Sequence, residues 1–355
     1  MALSSDEIIK REILQKLGTS LNELSLRVFP ESSNDDQKPF SEGGLTFGVS
    51  GIAYGSCDSC WVKEGKWTDP LTGKKVNVTP VIALEGTDAL NRGSSGNAQY
   101  QRFHHALGAV KAGVIGVYYL KKGVHKIQED LFGMAYFASK VEKGFYLVLD
   151  DLDELKKIIL SYKDKRKFKK IIDRKLQEMQ TIFNNKFKEK YNNSWDEFAK
   201  KRSTIIKKDH IIKYSGRMKR NFTDGSQRAG HIAVGEMYLT KYFFPNKKFY
   251  YFWPRMTRKD IKFLDIHKPD DKEWKLLRNE SDVEIICIDD LEGVPKEIIK
   301  RLNSIKDKPL KDKAMGIFNS SIDLISDLLI KDKIKIKEMD RKFKPVQQVL
   351  SKFTK

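Results

Sequence analysis

The chain has 355 residues, 40% of them hydrophobic and 11% aromatic, which is enough apolar side chain for one large core or two ordinary ones. Its 67 Lys and Arg against 48 Asp and Glu give a net charge of +19, an excess that favours a polyanionic partner, above all nucleic acid. No run of 18 apolar residues occurs and three cysteines cannot build a disulfide framework, so we expect a cytoplasmic protein without a membrane span.

The hydrophobic pattern of the first 150 residues predicts an α/β domain. Ser5 can cap a helix whose apolar residues recur at helical spacing. Residues 69–73 have the composition of a turn between two extended runs, so we expect a β hairpin there. The predicted elements are a helix over 6–17, a loop over 30–42, a strand over 45–54, hairpin strands over 60–67 and 75–84, a helix over 97–111, and strands over 114–120 and 145–149.

A long, lysine-rich helical region with one apolar stripe is predicted from residue 151 to about residue 202. Residues 151–220 contain 22 Lys and Arg against 10 Asp and Glu, so 12 of the 19 excess positive charges lie there. This concentration predicts a surface that contacts phosphates. A solvated helix face, or the codon preference of an AT-rich genome, would explain the same lysines without a ligand.

A second α/β segment is predicted from residue 205, with a helix over 229–244 and strands over 249–253 and 283–288. Its order echoes that of the first part, and FYLVLDD at 145–151 resembles EIICIDD at 284–290. The echo indicates either a weak duplication or a coincidence of composition. The predicted division is a core at 1–150, a basic helical region at 151–204, and a second α/β DNA-binding segment with a helical tail at 205–355.

Two carboxylates lie at matching ends of the predicted hairpin. Asp58 precedes the first strand, and Glu85 follows the apolar end of the second. Cleavage of a phosphodiester with Mg²⁺ needs hard oxygen ligands, and adjacent strands of a rigid sheet can hold two carboxylates close together. Asp69 in the turn and Glu64 are alternative first ligands. An ordinary strand-end role for Glu85 is the competing interpretation.

The stretch VIALEGTDALNRGSSGNAQYQRFHHALGAVKAGVIGVYYL, residues 81–120, resembles the PD-(D/E)xK superfamily of type II restriction endonucleases. In that family an Asp precedes one strand, (D/E)-x-K follows on the next, and a polar and aromatic helix and an apolar strand come after it. Thr87 stands where the family usually has Lys, and Lys63 or Lys111 is a candidate for the missing cation.

The resemblance implies a restriction-endonuclease-like mixed sheet flanked by helices, into which the basic helical region and the second α/β segment are added. It also implies a homodimer that cuts double-stranded DNA sequence-specifically with Mg²⁺. Asp58 and Glu85 would then be the metal ligands, and Thr87 would be a further catalytic residue.

Two polar loops are candidates for DNA recognition. Asn and Gln can pair with adenine and Arg with guanine, and a helix N-terminus attracts phosphate. The resemblance suggests the same role, because a similar Gly-Asn-Ala turn takes part in base recognition in such endonucleases. The candidates are Arg92, Ser94, Ser95, Asn97, Gln99, Gln101 and Arg102 in the first loop and Arg217, Arg220, Asn221, Ser226, Gln227 and Arg228 in the second. Plain capped-helix and surface-loop roles are the alternatives.

Other motifs in the sequence are weaker evidence of function. Cys57 and Cys60 form one CxxC, but a structural zinc site needs four ligands, so buried thiols are expected. The letters of residues 269–275 match the superfamily motif but leave no room for two strands. No Walker loop or dinucleotide-binding glycine loop is present. Three hypotheses therefore remain: a sequence-specific endonuclease, a non-catalytic nucleic-acid-binding protein and a structure-specific repair nuclease.

Overall fold

The computed structural model divides into two compact units. Unit 1 comprises residues 1–193, 230–245 and 271–279, and unit 2 comprises residues 194–229, 246–270 and 280–355. The structure describes residues 5–28, 38–88, 99–100, 102–121, 127–191, 204–206, 210–214, 234, 237–238, 241–243, 248–253, 258–267, 269–270, 272–279, 283–287, 300, 302–314 and 316.

A mixed six-stranded sheet forms the centre of unit 1. The strands of this unit are β1 (Ser20–Leu21), β2 (Leu24–Val28), β3 (Thr46–Val49), β4 (Ile52–Ser56), β5 (Ser59–Thr68), β6 (Lys75–Thr87), β7 (Ile115–Leu120) and β8 (Tyr146–Leu149). The sheet order is β1-β2-β5-β6-β7-β8, and β3 pairs with β4 in a separate hairpin. Neighbours from β1 to β6 are antiparallel, whereas β6, β7 and β8 run parallel. The predicted hairpin is therefore confirmed as β5 and β6.

Helices cover both faces of this sheet. The helices whose bounds lie in the described ranges are α1 (Ser5–Leu17), α2 (Phe103–Lys111), α3 (Glu129–Val141), α4 (Leu152–Ser161), α5 (Lys165–Tyr191), α6 (Arg258–His267), which belongs to unit 2, and α7 (Lys272–Asn279). A Cβ at Gly86 of β6 would meet Ile9 of α1, and one at Gly116 of β7 would meet Ala106 of α2. Gly116 pairs with Ala83, three residues from Gly86, so α1 and α2 lie on opposite faces. The predicted α/β architecture, a mixed sheet flanked by helices, is confirmed.

The long basic helix packs through one apolar stripe, as its sequence pattern predicts. Ile172, Leu176, Met179 and Phe183 of α5 are buried, while Lys165, Lys167, Lys169 and Lys170 in its first turns are exposed. The sequence predicted one helical region over 151–202, and the structure has two helices, α4 and α5. Both lie in unit 1, with the predicted core. The functions predicted for the three segments 1–150, 151–204 and 205–355 stay predictions.

Three elements differ from the sequence-based expectation. The strand predicted over 45–54 is a hairpin, because Ser50 and Gly51 adopt φ values of 53° and 79° and reverse the chain in two residues. The helix predicted from residue 97 begins at Phe103. Helix α3 was not predicted, and most of its residues are buried.

Unit 2 contains a four-stranded sheet of order β12-β11-β10-β9. Its strands are β9 (Thr204–Ile206), β10 (His210–Tyr214), β11 (Lys248–Trp253) and β12 (Val283–Cys287). The pair β9 and β10 is antiparallel, and β10, β11 and β12 are parallel. The predicted strands near 249–253 and 283–288 are therefore confirmed. In the described parts of the chain, no helix has the length and apolarity needed to cross a membrane.

Candidate active site

Asp58 and Glu85 lie at the same end of the β5–β6 hairpin. The last register pair of this hairpin is Ser59 with Leu84, and Asp58 and Glu85 are the residues directly beyond it. The backbone N–H of Asp58 donates to the Leu84 carbonyl at 2.8 Å, and the backbone N–H of Gly86 donates to Asp58 Oδ2 at 2.7 Å. Asp58 is thus bonded to both residues that flank Glu85. The structure brings the two predicted carboxylates together.

Both carboxylates are buried, and Arg102 and His105 lie beside Glu85. Asp58 is 3% exposed and Glu85 1% exposed. Arg102 Nη1 donates to Glu85 Oε1 at 3.0 Å, and His105 Nδ1 lies 3.3 Å from Glu85 Oε2. A carboxylate taken out of water needs such partners to stay ionised. The sequence predicts that Arg102 lies in a DNA-recognition loop and predicts no role for His105. It therefore does not predict the contact of either side chain with Glu85.

A glycine makes room for the His105 ring. Gly55 of β4 adopts φ +131°, and a Cβ there would lie 2.2 Å from His105 Cδ2. The His104 ring packs edge-on against the His105 ring, with centroids 4.5 Å apart. The β3–β4 hairpin and α2 together therefore fix the imidazole beside Glu85.

Two tyrosines fix the segment that enters α2. Tyr118, which pairs with Glu85 in register, donates its hydroxyl to the Gln99 carbonyl at 2.9 Å. Tyr146 donates its hydroxyl to the Phe103 carbonyl at 2.7 Å. Burial, and then the negative charge of Glu85, raises the pKa of Tyr118, and burial raises that of Tyr146. Both hydroxyls therefore stay protonated and keep donating on either side of Arg102.

Thr87 lies on the same face of β6 as Glu85, because it is two residues further along the strand. It is 6% exposed, and its carbonyl accepts the backbone N–H of Lys121 at 3.0 Å. Asp88, the next residue, is also buried. The predicted triad of Asp58, Glu85 and Thr87 thus lies at one end of the hairpin, with a third carboxylate close by in sequence.

The alternative first ligands lie away from this end. Asp69 is fully buried in the turn at the opposite end of the hairpin, where it accepts hydrogen bonds from Ser41 Oγ at 2.6 Å and Leu71 N at 2.9 Å. Glu64 is exposed in the middle of β5. Asp58 is therefore the better partner for Glu85.

Most residues of the two candidate DNA loops lie outside the described part of the chain. Gln99 is 1% exposed, and its side-chain oxygen accepts the backbone N–H of Gln128 at 2.9 Å. This buried placement does not suit the base contact predicted for Gln99. Arg102 points to Glu85, as described above. The candidates outside the described residues are Arg92, Ser94, Ser95, Asn97, Gln101, Arg217, Arg220, Asn221, Ser226, Gln227 and Arg228.

The three cysteines are buried free thiols. Burial raises the pKa of the Cys60 thiol to about 12, and burial followed by the charge of Glu85 raises that of Cys57 well above its usual value. Cys57 Sγ donates to the His105 carbonyl at 3.7 Å. Cys57 and Cys60 belong to an apolar cluster with Phe47 and Ala109, so they pack the core beneath the site.

The donors at the site fit a magnesium ion that is only partly held by protein. Within the described ranges, no three His, Cys, Asp and Glu side chains are grouped as a metal-binding set. Magnesium usually keeps several waters and is bound through one or two carboxylates together with phosphate oxygens of the substrate. Asp58 and Glu85 would be those two carboxylates, one directly before β5 and the other on its neighbour β6.

Comparisons with protein-family models, curated proteins and solved structures find no match to this chain. A function for this chain is therefore supported by two observations, the geometry of the site and the resemblance of its motif to a known family.

Proposed function

We propose that this protein is a type II restriction endonuclease that cuts double-stranded DNA with Mg²⁺. The observation that carries the proposal is that Asp58 and Glu85 lie at one end of a hairpin, with Asp58 hydrogen-bonded to the backbone of both residues that flank Glu85. Two carboxylates on adjacent strands are the donors that metal-assisted cleavage of a phosphodiester requires.

The order of elements supports the resemblance to the PD-(D/E)xK superfamily. Asp58 precedes β5, Glu85 lies on β6, α2 follows, and the apolar strand β7 returns parallel to β6. This is the order that the family motif leads one to expect around its carboxylates. A short motif can match by chance. A chance match is less easily obtained when the sheet topology also agrees and both carboxylates lie at one end of the sheet.

Each residue of the site has a separate task in this proposal. Bound magnesium would lower the pKa of a coordinated water and neutralise charge on the phosphate. Asp58 and Glu85 would hold the ion, and Thr87 would orient the water or the phosphate. In the hydrolysis, the water oxygen bonds to phosphorus, the bond to the leaving oxygen breaks, and the proton lost by the water passes through solvent to that oxygen.

Charge and symmetry complete the proposal. The exposed lysines and arginines of α5 would contact DNA phosphates independently of sequence.

The described residues of one chain contain one pair of carboxylates like Asp58 and Glu85, and cutting two strands needs two pairs, so we propose a symmetric homodimer. A cytoplasmic location follows from this substrate and from the three buried free thiols.

Digestion of plasmid DNA with and without Mg²⁺ tests the proposal. Glu85→Gln keeps the size and hydrogen bonding of the side chain but removes the charge that would hold the metal. We expect it to slow cleavage at least about 100-fold, because a metal supplies several kcal/mol of transition-state stabilisation. DNA binding should persist or tighten, because repulsion between carboxylate and phosphate is relieved.

Glu64→Gln is the matched control, since Glu64 is an exposed glutamate on the same hairpin. It should cut like wild type and give the same discrete bands. Equal cleavage by wild type and Glu85→Gln would move the active site elsewhere. Cleavage restricted to flaps, junctions or lesions would favour a structure-specific repair nuclease.

One observation favours a second candidate, a non-catalytic nucleic-acid-binding protein. Both carboxylate oxygens of Glu85 already have a side-chain neighbour, Arg102 at one and His105 at the other, as in an inert structural cluster. In that case the wild type would bind DNA with strong salt dependence and would cut no duplex, with or without Mg²⁺.

A further inference from the structure

The site lacks the lysine that its motif usually carries. Thr87 occupies that position, and the two lysines considered from the sequence as replacements are engaged elsewhere. Lys63 lies over the Tyr162 ring, 5.4 Å from its centroid, and Lys111 pairs with Glu142 at 2.8 Å. The positive charge that the reaction needs must therefore come from another residue.

Arg102 is a fixed cation beside the candidate metal ligand. Its Nη1 lies 3.0 Å from Glu85 Oε1, and an arginine stays protonated at any working pH. It is the residue before α2, and the backbone on both sides of it is anchored by the Tyr118 and Tyr146 hydroxyls. Such anchoring holds a charge in place before the substrate arrives, which is the condition for effective electrostatic catalysis.

The exposure of Arg102 suits a residue that must reach a substrate. Its side chain is 31% exposed, whereas that of Glu85 is 1% exposed. The guanidinium therefore contacts the buried carboxylate at one edge and is open to solvent at another. Its planar fork of donors matches the oxygens of a phosphate.

We propose that Arg102 is the cationic catalytic residue of this site and takes the place of the lysine that Thr87 replaces. This inference rests on the proposed nuclease function. Arg102 would contact a non-bridging oxygen of the scissile phosphate and stabilise the negative charge that grows there as water adds to phosphorus and the leaving oxygen departs. It would neither gain nor lose a proton.

Single-turnover cleavage by the full chain, at saturating enzyme and Mg²⁺, tests the proposal. Arg102→Gln should slow cleavage at least about 100-fold, the usual loss when one preorganised donor is removed. Arg102→Lys, which keeps the charge, should lose much less. The double variant Arg102→Gln/Thr87→Lys moves the charge to the usual motif position and should recover at least about tenfold over Arg102→Gln. A purely structural role would predict this recovery only together with a recovery of thermal stability.

Lys111→Gln is the control on the same helix, because it also breaks an ion pair but at the far end of α2. It should cut like wild type. Thermal unfolding of each variant shows whether it is folded at the assay temperature. If Arg102→Gln unfolds at the assay temperature, all variants are compared at a lower temperature at which it is folded.

Two results overturn the inference. One is a folded Arg102→Gln that cuts within about threefold of wild type. The other is a folded double variant that cuts no faster than Arg102→Gln, which would mean that Arg102 only holds Glu85. Both are distinct from failure of the proposed function, in which the wild type itself cuts no duplex.

Discussion

Asp58 and Asp69 stand at opposite ends of one hairpin, and their surroundings give them different roles. The side chain of Asp58 accepts a backbone N–H beside Glu85, at the end where two carboxylates meet. The side chain of Asp69 is used by the turn: it accepts from the backbone N–H and hydroxyl of Ser41, from Leu71 N and from Thr72 Oγ1. A fully buried carboxylate with four donors stabilises the fold and is poorly placed to bind a metal.

Replacing Asp69 should therefore cost stability. Asp69→Ala leaves the donors of Ser41, Leu71 and Thr72, which are buried or half-buried, without their acceptor, so the free energy of unfolding should fall by about 2–4 kcal/mol. Urea unfolding measures this, with Glu64→Ala as an exposed control that should change it by less than about 0.5 kcal/mol. A folded Asp69→Ala that is as stable as wild type but has lost Mg²⁺-dependent cleavage would make Asp69 a metal ligand instead.

The residues of the site differ in how far the sequence could predict them. Asp58 and Glu85 follow from strand order, because a turn of known position sets which residues oppose each other across a hairpin. The contact of Arg102 with Glu85 depends on the path of residues 99–103, which is fixed by two tyrosine hydroxyls from distant strands. Contacts between residues so far apart in the sequence cannot be predicted from the local sequence pattern.

At the scale of elements, the edge of the main sheet is protected by a helix. Among the described strands, β8 pairs with β7 alone, and backbone groups of β8 face away from β7 on its other side. The backbone N–H of Val148 donates to Met179 Sδ of α5 at 3.4 Å, and Met179 is fully buried. Helix α5 thus offers a basic face to solvent and covers an open strand edge with its apolar face.

Met179 should accordingly be important for stability. Met179→Ala removes a buried side chain and leaves a cavity, so the free energy of unfolding should fall by about 2–5 kcal/mol. Met179→Leu keeps the volume and loses only the sulfur acceptor, so it should cost less than about 1.5 kcal/mol. Urea unfolding gives both values, and hydrogen exchange should show faster exchange of the Val148 amide in either variant. Unchanged exchange in both would mean that the sulfur does not protect this edge.

The elements that the sequence missed have identifiable causes. Helix α3 buries seven consecutive residues from Glu129 to Ala135. Helices are predicted from apolar residues that repeat every 3.6 positions beside a polar face, and a helix buried on all sides lacks that pattern. The hairpin of β3 and β4 turns on Ser50 and Gly51, and serine at positive φ is uncommon enough that the pattern favoured one strand. The β5–β6 hairpin was predictable because turn composition and strand alternation agree.

At the scale of the whole molecule, the two sheets repeat one strand arrangement. In each unit an antiparallel pair is followed by two parallel strands, β5-β6-β7-β8 in unit 1 and β9-β10-β11-β12 in unit 2. The echo between FYLVLDD and EIICIDD falls on the last strand of each, β8 and β12. This shared strand order favours a weak duplication, with a coincidence of composition as the alternative interpretation.

The second arrangement does not repeat the carboxylate pair. The last register pair of β9 and β10 is Thr204 with Lys213, which corresponds to Ser59 with Leu84 in unit 1. The residue after Lys213 is Tyr214, where unit 1 has Glu85. A duplicated core without this carboxylate would retain a scaffold for binding and leave one catalytic site per chain.

The net charge of +19 gives the last prediction, a steep salt dependence of DNA binding. Lys165, Arg166, Lys169 and Lys170 lie exposed on α5, and Lys169 pairs with Asp173 on the same helix. Each phosphate neutralised by such residues contributes a slope of about −0.9 to log affinity against log salt concentration. Replacing all four with glutamine should make the slope shallower by about 2–4 and leave the preference for sequence unchanged. Fluorescence anisotropy on one duplex across a salt series measures the slope.

A control with equal charge loss separates contact from general attraction. Lys259, Lys262, Lys306 and Lys308 are also exposed, and they lie in unit 2. Their replacement lowers the net charge by the same amount, and the long-range attraction that remains is screened over about 10 Å at 0.1 M salt. If α5 contacts the DNA backbone, only the first set flattens the slope strongly. Equal flattening by both sets would assign the effect to net charge, and affinity independent of salt would contradict phosphate contact and favour codon preference as the source of the lysines.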